Sequence, residues 1–353
     1  MSKLKIGVVG LGSIAQMHIG GYLNNPNVEL YAFCDINEER LKANGEKYKV
    51  ERLYTSVHEM VKLEELDAVS VCTWNCAHAE CSIAALNAGK HVLCEKPMCM
   101  NADERTKMLE AAEKSGKLLM IGFVRRYGND MDILKDFIDA GTFGDIYYSK
   151  ATYLRRNGNP GGWFCDKARS GGGPLIDLGV HVIDFVRYAL GNPKPISVYG
   201  ATFAKLGNRP ELKTSKEYVS ADHSSKEICD VEDLASAMIR FDNGAVLSVE
   251  SSFSLNIQDD KGEIEFFGDK GGAKIDPELK IYSTANGYMT DISLKAKTAL
   301  EFSGLFQKEI DHYVDCLLGK TECRSPAVDG YEIMKILDAI YESAATGHEV
   351  ILK

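Results

Sequence analysis

No stretch of this chain approaches the roughly 20 consecutive apolar residues that a helix needs to span a bilayer. Basic charge is also short: 41 lysines and arginines stand against 51 acidic residues, scattered without a long basic run, for a formal net charge of −10. Both features argue against a membrane-bound role and against a general electrostatic grip on nucleic acid or anionic lipid. The opening "MSKLKIGVVGLG" runs directly into a strand pattern, without the apolar region and cleavage site of a secretory signal. A cytoplasmic location is the expectation. No internal repeat is visible. Cysteine is not scarce, with ten residues, but most lie inside apolar segments, as Cys34, Cys72, Cys94 and Cys316 do. They read as small buried thiols of a reducing compartment. Cys72, Cys76 and Cys81 crowd together, yet their spacing is not a usual zinc pattern, and no metal site is assigned.

What is present has two grammars. At 353 residues the chain suggests about two domains. In the first third, short apolar runs (Lys5–Val9, Leu30–Cys34, Ala68–Cys72, His91–Cys94, Leu118–Gly122) alternate with helical patterns that begin near Ser13, Asn37, His78 and Ala102. Near-continuous apolar strands separated by helices predict a parallel sheet covered on both faces, a doubly wound α/β domain over residues 1–123. After Val124 the segments lengthen and alternate. A helix over Asp130–Ala140 and a strand over Ile146–Leu154 precede a Gly- and Asn-rich loop, and four further strands follow at Ile196–Phe203, Ala235–Phe241, Ala245–Phe253 and Gly262–Phe267. An Asn-Gly turn joins the second and third of these. Two closing helices, Gly304–Leu318 and Asp329–Thr346, complete an α/β domain with a large, mostly antiparallel sheet over residues 124–353. The polar stretch 205–225 reads as a long excursion or a lid.

Chemistry enters at the first strand end. "GVVGLGSIAQMH" places Gly10, Gly12 and Ala15 in a G-x-G-x-x-A pattern between a strand and a helix, with Ser13 and Ile14 on the opening turn. Gly10 permits the tight turn, Gly12 lets a pyrophosphate approach the backbone, and Ala15 lets helix and strand pack closely. Asp35 ends the second strand, 20 residues beyond Ala15, where a carboxylate takes the ribose hydroxyls and repels a 2′-phosphate. No arginine adjoins it, so NAD is expected over NADP. The alternative is that Asp35 caps the following helix, which Asn37 is equally able to do.

A second centre lies in "GGGPLIDLGVHVIDFVRY", Gly171–Tyr188. Asp177, His181 and Asp184, at offsets of four and three, form one polar stripe on an otherwise apolar helix. Buried carboxylates and imidazoles are costly unless paired or lining a wet cleft. Taken alone, the helix fits a structural Asp–His pair and a catalytic site equally well.

Two further stretches, "CTWNCAH" (Cys72–His78) and "CEKPM" (Cys94–Met98), fall at the carboxyl ends of parallel strands, where open α/β sheets bind ligands. With the glycine turn and "GGGPLIDLGVHVID", they resemble the Gfo/Idh/MocA family of oxidoreductases, and the resemblance covers nearly the whole chain. It implies an N-terminal Rossmann domain and a C-terminal α/β domain whose sheet forms a homodimer or homotetramer. It implies NAD(P)-dependent oxidation or reduction of a ring hydroxyl in a sugar, sugar derivative or cyclitol. Lys96, Asp177 and His181 match the family's catalytic positions. Thr73, Asn75 and His78 match a motif near the nicotinamide, with Trp74 in place of its usual proline, and Glu95 joins the cofactor side. Asp184 is expected to be a structural partner. Substrate-side candidates are Arg126 (in preference to Arg125), Asn157 and Trp163, with Arg156, Lys167 and Arg169 nearby. Glycines 171–173 are expected to let the chain pass close beneath the cofactor, or simply to form an N-terminal turn.

In this reading His181 takes the hydroxyl proton, Asp177 orients it or holds the substrate, and Lys96 stabilises the developing oxyanion. Two other functions remain open: a glycosidase that uses bound NAD⁺ transiently, and a dinucleotide-binding sensor without turnover.

Overall fold

The apolar runs of the first third become six strands: β1 (Leu4–Val9), β2 (Val28–Cys34), β3 (Arg52–Tyr54), β4 (Ala68–Val71), β5 (His91–Glu95) and β6 (Leu119–Gly122). Every pairing is parallel, in the order β3-β2-β1-β4-β5-β6. The order reverses between β1 and β4, which is the switch point where open α/β sheets carry ligands. Helices α1 (Ser13–Asn24), α2 (Glu38–Tyr48), the single turn α3 (Val57–Met60), α4 (His78–Asn87) and α5 (Ala102–Ser115) connect the strands. Their starts are encoded locally. The Asn37 and Asn101 side chains accept the Arg40 and Glu104 N–H groups, and each helix opens with two acidic residues, Glu38–Glu39 and Asp103–Glu104.

The computed structural model describes residues 3–209, 212, 219–220, 228–276, 278–298 and 302–352. They fall into two compact units, Met1–Tyr127 with Phe302–Met334, and Gly128–Glu301 with Lys335–Lys353. Much of the polar stretch 205–225 lies outside the described residues.

In the second unit α6 (Asn129–Asp139) precedes β7 (Ile146–Leu154), the short α7 (Lys167–Ser170) and α8 (Val180–Ala189). Then come β8 (Pro195–Phe203), β9 (Leu234–Phe241), β10 (Val246–Ser252), β11 (Lys261–Gly268), β12 (Gly271–Asp276), β13 (Glu278–Ala285) and β14 (Tyr288–Ile292). Two helices, α9 (Phe302–Leu317) and α10 (Ala327–Thr346), and the short β15 (Val350–Ile351) end the chain. The sheet runs β14-β13-β12-β11-β7-β10-β9-β8-β15, antiparallel except for the parallel pair β7 and β10. Asp242–Gly244 closes the β9–β10 hairpin, as the Asn-Gly signal predicts. Alternate residues of β9 are buried, as one covered face requires.

The division differs from a boundary at 123/124 in two respects: the first unit runs on to Tyr127, and the segment Phe302–Met334 belongs with it. Ile310, Tyr313 and Val314 on α9 share a buried cluster with Ile6, Val8, Ala15, Ile19, Phe33 and Met120. The apolar stripe of α9 thus completes the core around α1, with each fully buried aliphatic side chain worth about 1.5–3 kcal/mol.

Candidate active site

At Gly10 the chain turns with φ of +79°. A Cβ there would lie 2.7 Å from the Cys72 carbonyl oxygen, so glycine alone lets the turn rest on the end of β4. Gly12 is the N-cap of α1; no side chain caps that end, and its first turn carries no acidic residue. Nothing lies within 4 Å of a Cβ built on Gly12. Uncapped N–H groups, the helix dipole and open backbone together form an anion cradle that fits a pyrophosphate. Ser13 is exposed on this turn, Ile14 is half-buried, and Ala15 is buried in the core beneath it.

Asp35 is buried directly after β2. Its Oδ2 accepts the Leu11 N–H at 2.8 Å and its Oδ1 accepts the Asn37 N–H at 2.8 Å. Asn37, not Asp35, caps α2, which removes the capping alternative. The expectation of no arginine beside Asp35 is corrected by the fold. One turn into α2, Arg40 brings Nη1 to 3.6 Å from Oδ2. Its charge offsets part of the carboxylate's repulsion of a 2′-phosphate.

The ends of β4 and β5 are laced together by His78. Its Nδ1 lies 2.7 Å from the Pro97 carbonyl and its Nε2 lies 3.2 Å from that of Thr73. Burial holds the imidazole below its ordinary pKa, and a neutral ring donates to one of the two, the nearer being Pro97. Thr73 is half-buried and Asn75 buried on the turn between them. Glu95, at the end of β5, is also inside. Its Oε1 meets His18 Nε2 at 2.8 Å, and its Oε2 accepts the Lys96 N–H at 3.2 Å. Burial alone raises the Glu95 carboxyl, but His18, with Lys96 and His78 beyond it, brings it below the ordinary range. His78 and Glu95 therefore hold the loops on either side of Lys96, which itself is half-buried.

Arg126, the substrate-side candidate after β6, lies inside its unit. It is 0 % exposed and stacks on Phe123. Its Nη1 donates to the Arg324 carbonyl and, at 2.7 Å, to Asp329 Oδ2. The guanidinium is engaged by the closing segment of its own unit. Arg125 beside it is half-buried.

In the second unit Asp177 and His181 share one stretch, but not one regular helix. Residues Leu175–Gly179 form a widened turn in which the Val180 N–H reaches the Leu175 carbonyl, five residues back. Single π-type turns of this kind recur at functional sites. Asp177 and His181 are half-buried among buried neighbours, whereas Asp184 is 1 % exposed. Two of the glycines before this turn are required by close approach within the unit. A Cβ on Gly172 would run into the Tyr341 hydroxyl, and one on Gly173 into the Glu232 carbonyl.

Glu232 is the residue that sequence reasoning missed. Its carboxylate accepts the Gly173 N–H at 3.0 Å, the Leu175 N–H at 3.1 Å and the Tyr341 O–H at 2.9 Å. It thereby caps the stretch that carries Asp177, from 57 positions beyond Leu175. Burial pushes its carboxyl above the ordinary range. Asn157 Oδ1 is buried and has no hydrogen-bond partner among the described residues. Trp163 stacks on Phe164 with ring centroids 4.1 Å apart. Arg156 is a loop anchor, bound to Asp260 and the Gln258 carbonyl. Arg169 pairs with Asp166, and exposed Lys167 donates its backbone N–H to Asp230 Oδ1 at 2.7 Å.

Residues 4–123 match the profile described as oxidoreductase family, NAD-binding Rossmann fold, and residues 131–274 match the Gfo/Idh/MocA C-terminal domain. The chain belongs to the Gfo/Idh/MocA family of oxidoreductases. As a member it is an NAD-dependent dehydrogenase, and the cradle over Gly10–Ala15 belongs to the family's NAD-binding domain. It is 35% identical to D-glucoside 3-dehydrogenase of Escherichia coli K12, over 99% of this chain and 98% of that protein. Myo-inositol 2-dehydrogenase of Thermotoga maritima is 31% identical over 76% of this chain and 74% of that one. Levoglucosan dehydrogenase in complex with NADH shares the fold, with a TM-score of 0.86 at 24% identity over all of both chains. Among the described residues no helix is long and apolar enough to cross a membrane.

Proposed function

We propose that this Gfo/Idh/MocA dehydrogenase oxidises a ring hydroxyl of a sugar, sugar derivative or cyclitol, with the C3 hydroxyl of a D-glucoside as the first candidate. The full-length relationship to a D-glucoside 3-dehydrogenase carries this reading. Bound NAD⁺ supplies the hydride acceptor. Its pyrophosphate is assigned to the N–H groups of Gly12–Ala15, its adenosine ribose to Asp35, and its nicotinamide end to Thr73 and Asn75.

The remaining chemistry belongs to side chains. His181 takes the hydroxyl proton, a task suited to an imidazole near neutral pH. Asp177, one turn earlier, orients that ring or the substrate. Lys96 donates to the substrate oxygen as it gains negative charge. The unpartnered Asn157 Oδ1 is a ready acceptor for a sugar hydroxyl, and Trp163 offers a flat apolar surface to a ring. Exposed Tyr199 and Met238, directly paired across β8 and β9, are assigned to a face on which copies of the chain associate.

The test is incubation of the purified protein with NAD⁺ and a panel of D-glucosides, free aldoses and cyclitols, following NADH and product together. NADH with a 3-keto glucoside is the expected result. Glycoside cleavage without net NADH points instead to the redox-assisted glycosidase. NAD⁺ binding without turnover on any member points to the sensor.

A further inference from the structure

The closing segment of the first unit brings together three side chains that the dehydrogenase reaction does not use. His312 and Cys316 stand one turn apart on α9, and the loop after the helix returns Cys323 to them. His312 Nε2 and the two sulfurs all lie within 4.8 Å of one another, and all three residues are half-buried. The Cys316 sulfur is 3.4 Å from Nε2. The Arg324 backbone N–H donates to the same nitrogen at 3.0 Å, so Nε2 carries the lone pair and Nδ1 the proton. The Cys323 thiol also faces His312, and the Ser325 N–H donates to the Cys323 sulfur. The two thiols also hydrogen-bond to each other, so two sulfurs, one imidazole lone pair and two backbone amides converge on one small volume.

That convergence suits a cation. Two thiolates and an imidazole are the donor set of zinc, whose bonds of about 2.3 Å to sulfur and about 2.0–2.1 Å to nitrogen put neighbouring S and N ligands about 3.6 Å apart in a tetrahedron. The observed 3.4 Å already matches that edge. An N–H···S bond of the Ser325 type steadies a thiolate ligand. Half-burial lets an ion enter and leaves a fourth position for water.

We propose that His312, Cys316 and Cys323 form a binding site for a borderline-soft divalent cation of the Zn²⁺ class. On binding, both thiols release their protons to solvent and the Nε2 lone pair turns from the Arg324 N–H to the metal; no electron changes hands. The ion is a staple, not a reactant. It fastens the loop whose Arg324 carbonyl receives Arg126 and whose Ser325 carbonyl accepts the Ile121 N–H at 2.9 Å, so it secures the return of the chain to the edge strand β6.

The test titrates the reduced, metal-free full chain with Co²⁺ and then Zn²⁺. One Co²⁺ per chain is expected, with a thiolate-to-metal charge-transfer band that Zn²⁺ erases. Zn²⁺ is also expected to raise Tm by a few degrees. Cys316→Ser and Cys323→Ser should each remove the band and the Tm response while NAD⁺ binding persists. Cys76→Ser, at an exposed cysteine, should keep both. Absence of the band in the wild type overturns the proposal, as does a band that survives in Cys316→Ser/Cys323→Ser. Diamide linking Cys316 to Cys323 in a chain that takes no Co²⁺ overturns it in favour of a redox pair.

Discussion

The Asp35 carboxylate accepts the Leu11 backbone N–H at 2.8 Å, so one side chain at the end of β2 holds the glycine turn that follows β1. Asp35→Ser loses a charge-assisted hydrogen bond and leaves Arg40 without its carboxylate partner. NAD⁺ affinity should fall about tenfold or more, equivalent to about 1.4 kcal/mol. The ratio of kcat/KM for NADP⁺ over NAD⁺ should rise, and Arg40→Ala in the same background should cancel that rise. Steady-state kinetics with both cofactors decide the point. An unchanged ratio would leave Asp35 a role in the turn alone.

Lys96 follows the buried Glu95 and precedes the Pro97 carbonyl that faces His78. Lys96→Ala should lower kcat by about 10²–10³, the usual loss for one donor to a developing oxyanion. His181→Asn should lower it by about 10²–10⁴, as for a lost general base. NAD⁺ binding, followed by fluorescence quenching, should change little in either. Near-normal kcat in either variant removes that residue from the mechanism.

Glu232 accepts from three donors at once, and a glutamine in its place turns an N–H₂ toward one of them. Glu232→Gln should cost about 1–3 kcal/mol of stability, the usual penalty for a buried donor left unmet. Because Gly173 and Leu175 frame the turn that carries Asp177, kcat should fall further than NAD⁺ affinity. Tyr341→Phe, which removes one donor, should be milder in both respects. Urea unfolding paired with kinetics separates these effects. A Glu232→Gln protein with wild-type kcat would show that the cap does not position Asp177.

Glu309 on α9 is fully buried, and among the described residues neither of its carboxylate oxygens has a hydrogen-bond partner. Burial first, and the Glu95 charge second, hold its carboxyl well above the ordinary range. The folded chain therefore keeps a proton that the unfolded chain releases near pH ~4.3. Where the folded state binds more protons, stability falls as pH rises, from the unfolded value up to the folded one. Glu309→Gln removes this loss. Its denaturant midpoint should gain on the wild type progressively as pH rises above ~4.3, with little difference below. A gap that does not vary with pH would mean that Glu309 is ionised in the fold.

Local patterns carried much of this architecture. β4, a four-residue run buried throughout, and β5 read as buried strands because apolar side chains on both faces leave no other reading. The glycine turn and Asp35 were legible because their residue types and spacing form a motif. β3 escaped notice at three residues, and β12 to β14 because their alternation is broken by glycines and charges. The widened turn through Asp177 was hidden as well, since one extra residue per turn leaves the run of apolar side chains looking helical.

By itself, then, the sequence determined the parallel sheet, the phosphate cradle and the stripe that bears Asp177 and His181, because each leaves its signal in a short run of residues. The tertiary structure alone decided which distant groups meet them: Arg40 beside Asp35, Asp329 on Arg126, Glu232 and Tyr341 beneath the glycines, and α9 completing the first core. Periodicity reports which face of an element is buried, not what covers it. A carboxylate that caps a turn 57 residues away leaves no trace in the spacing of either segment.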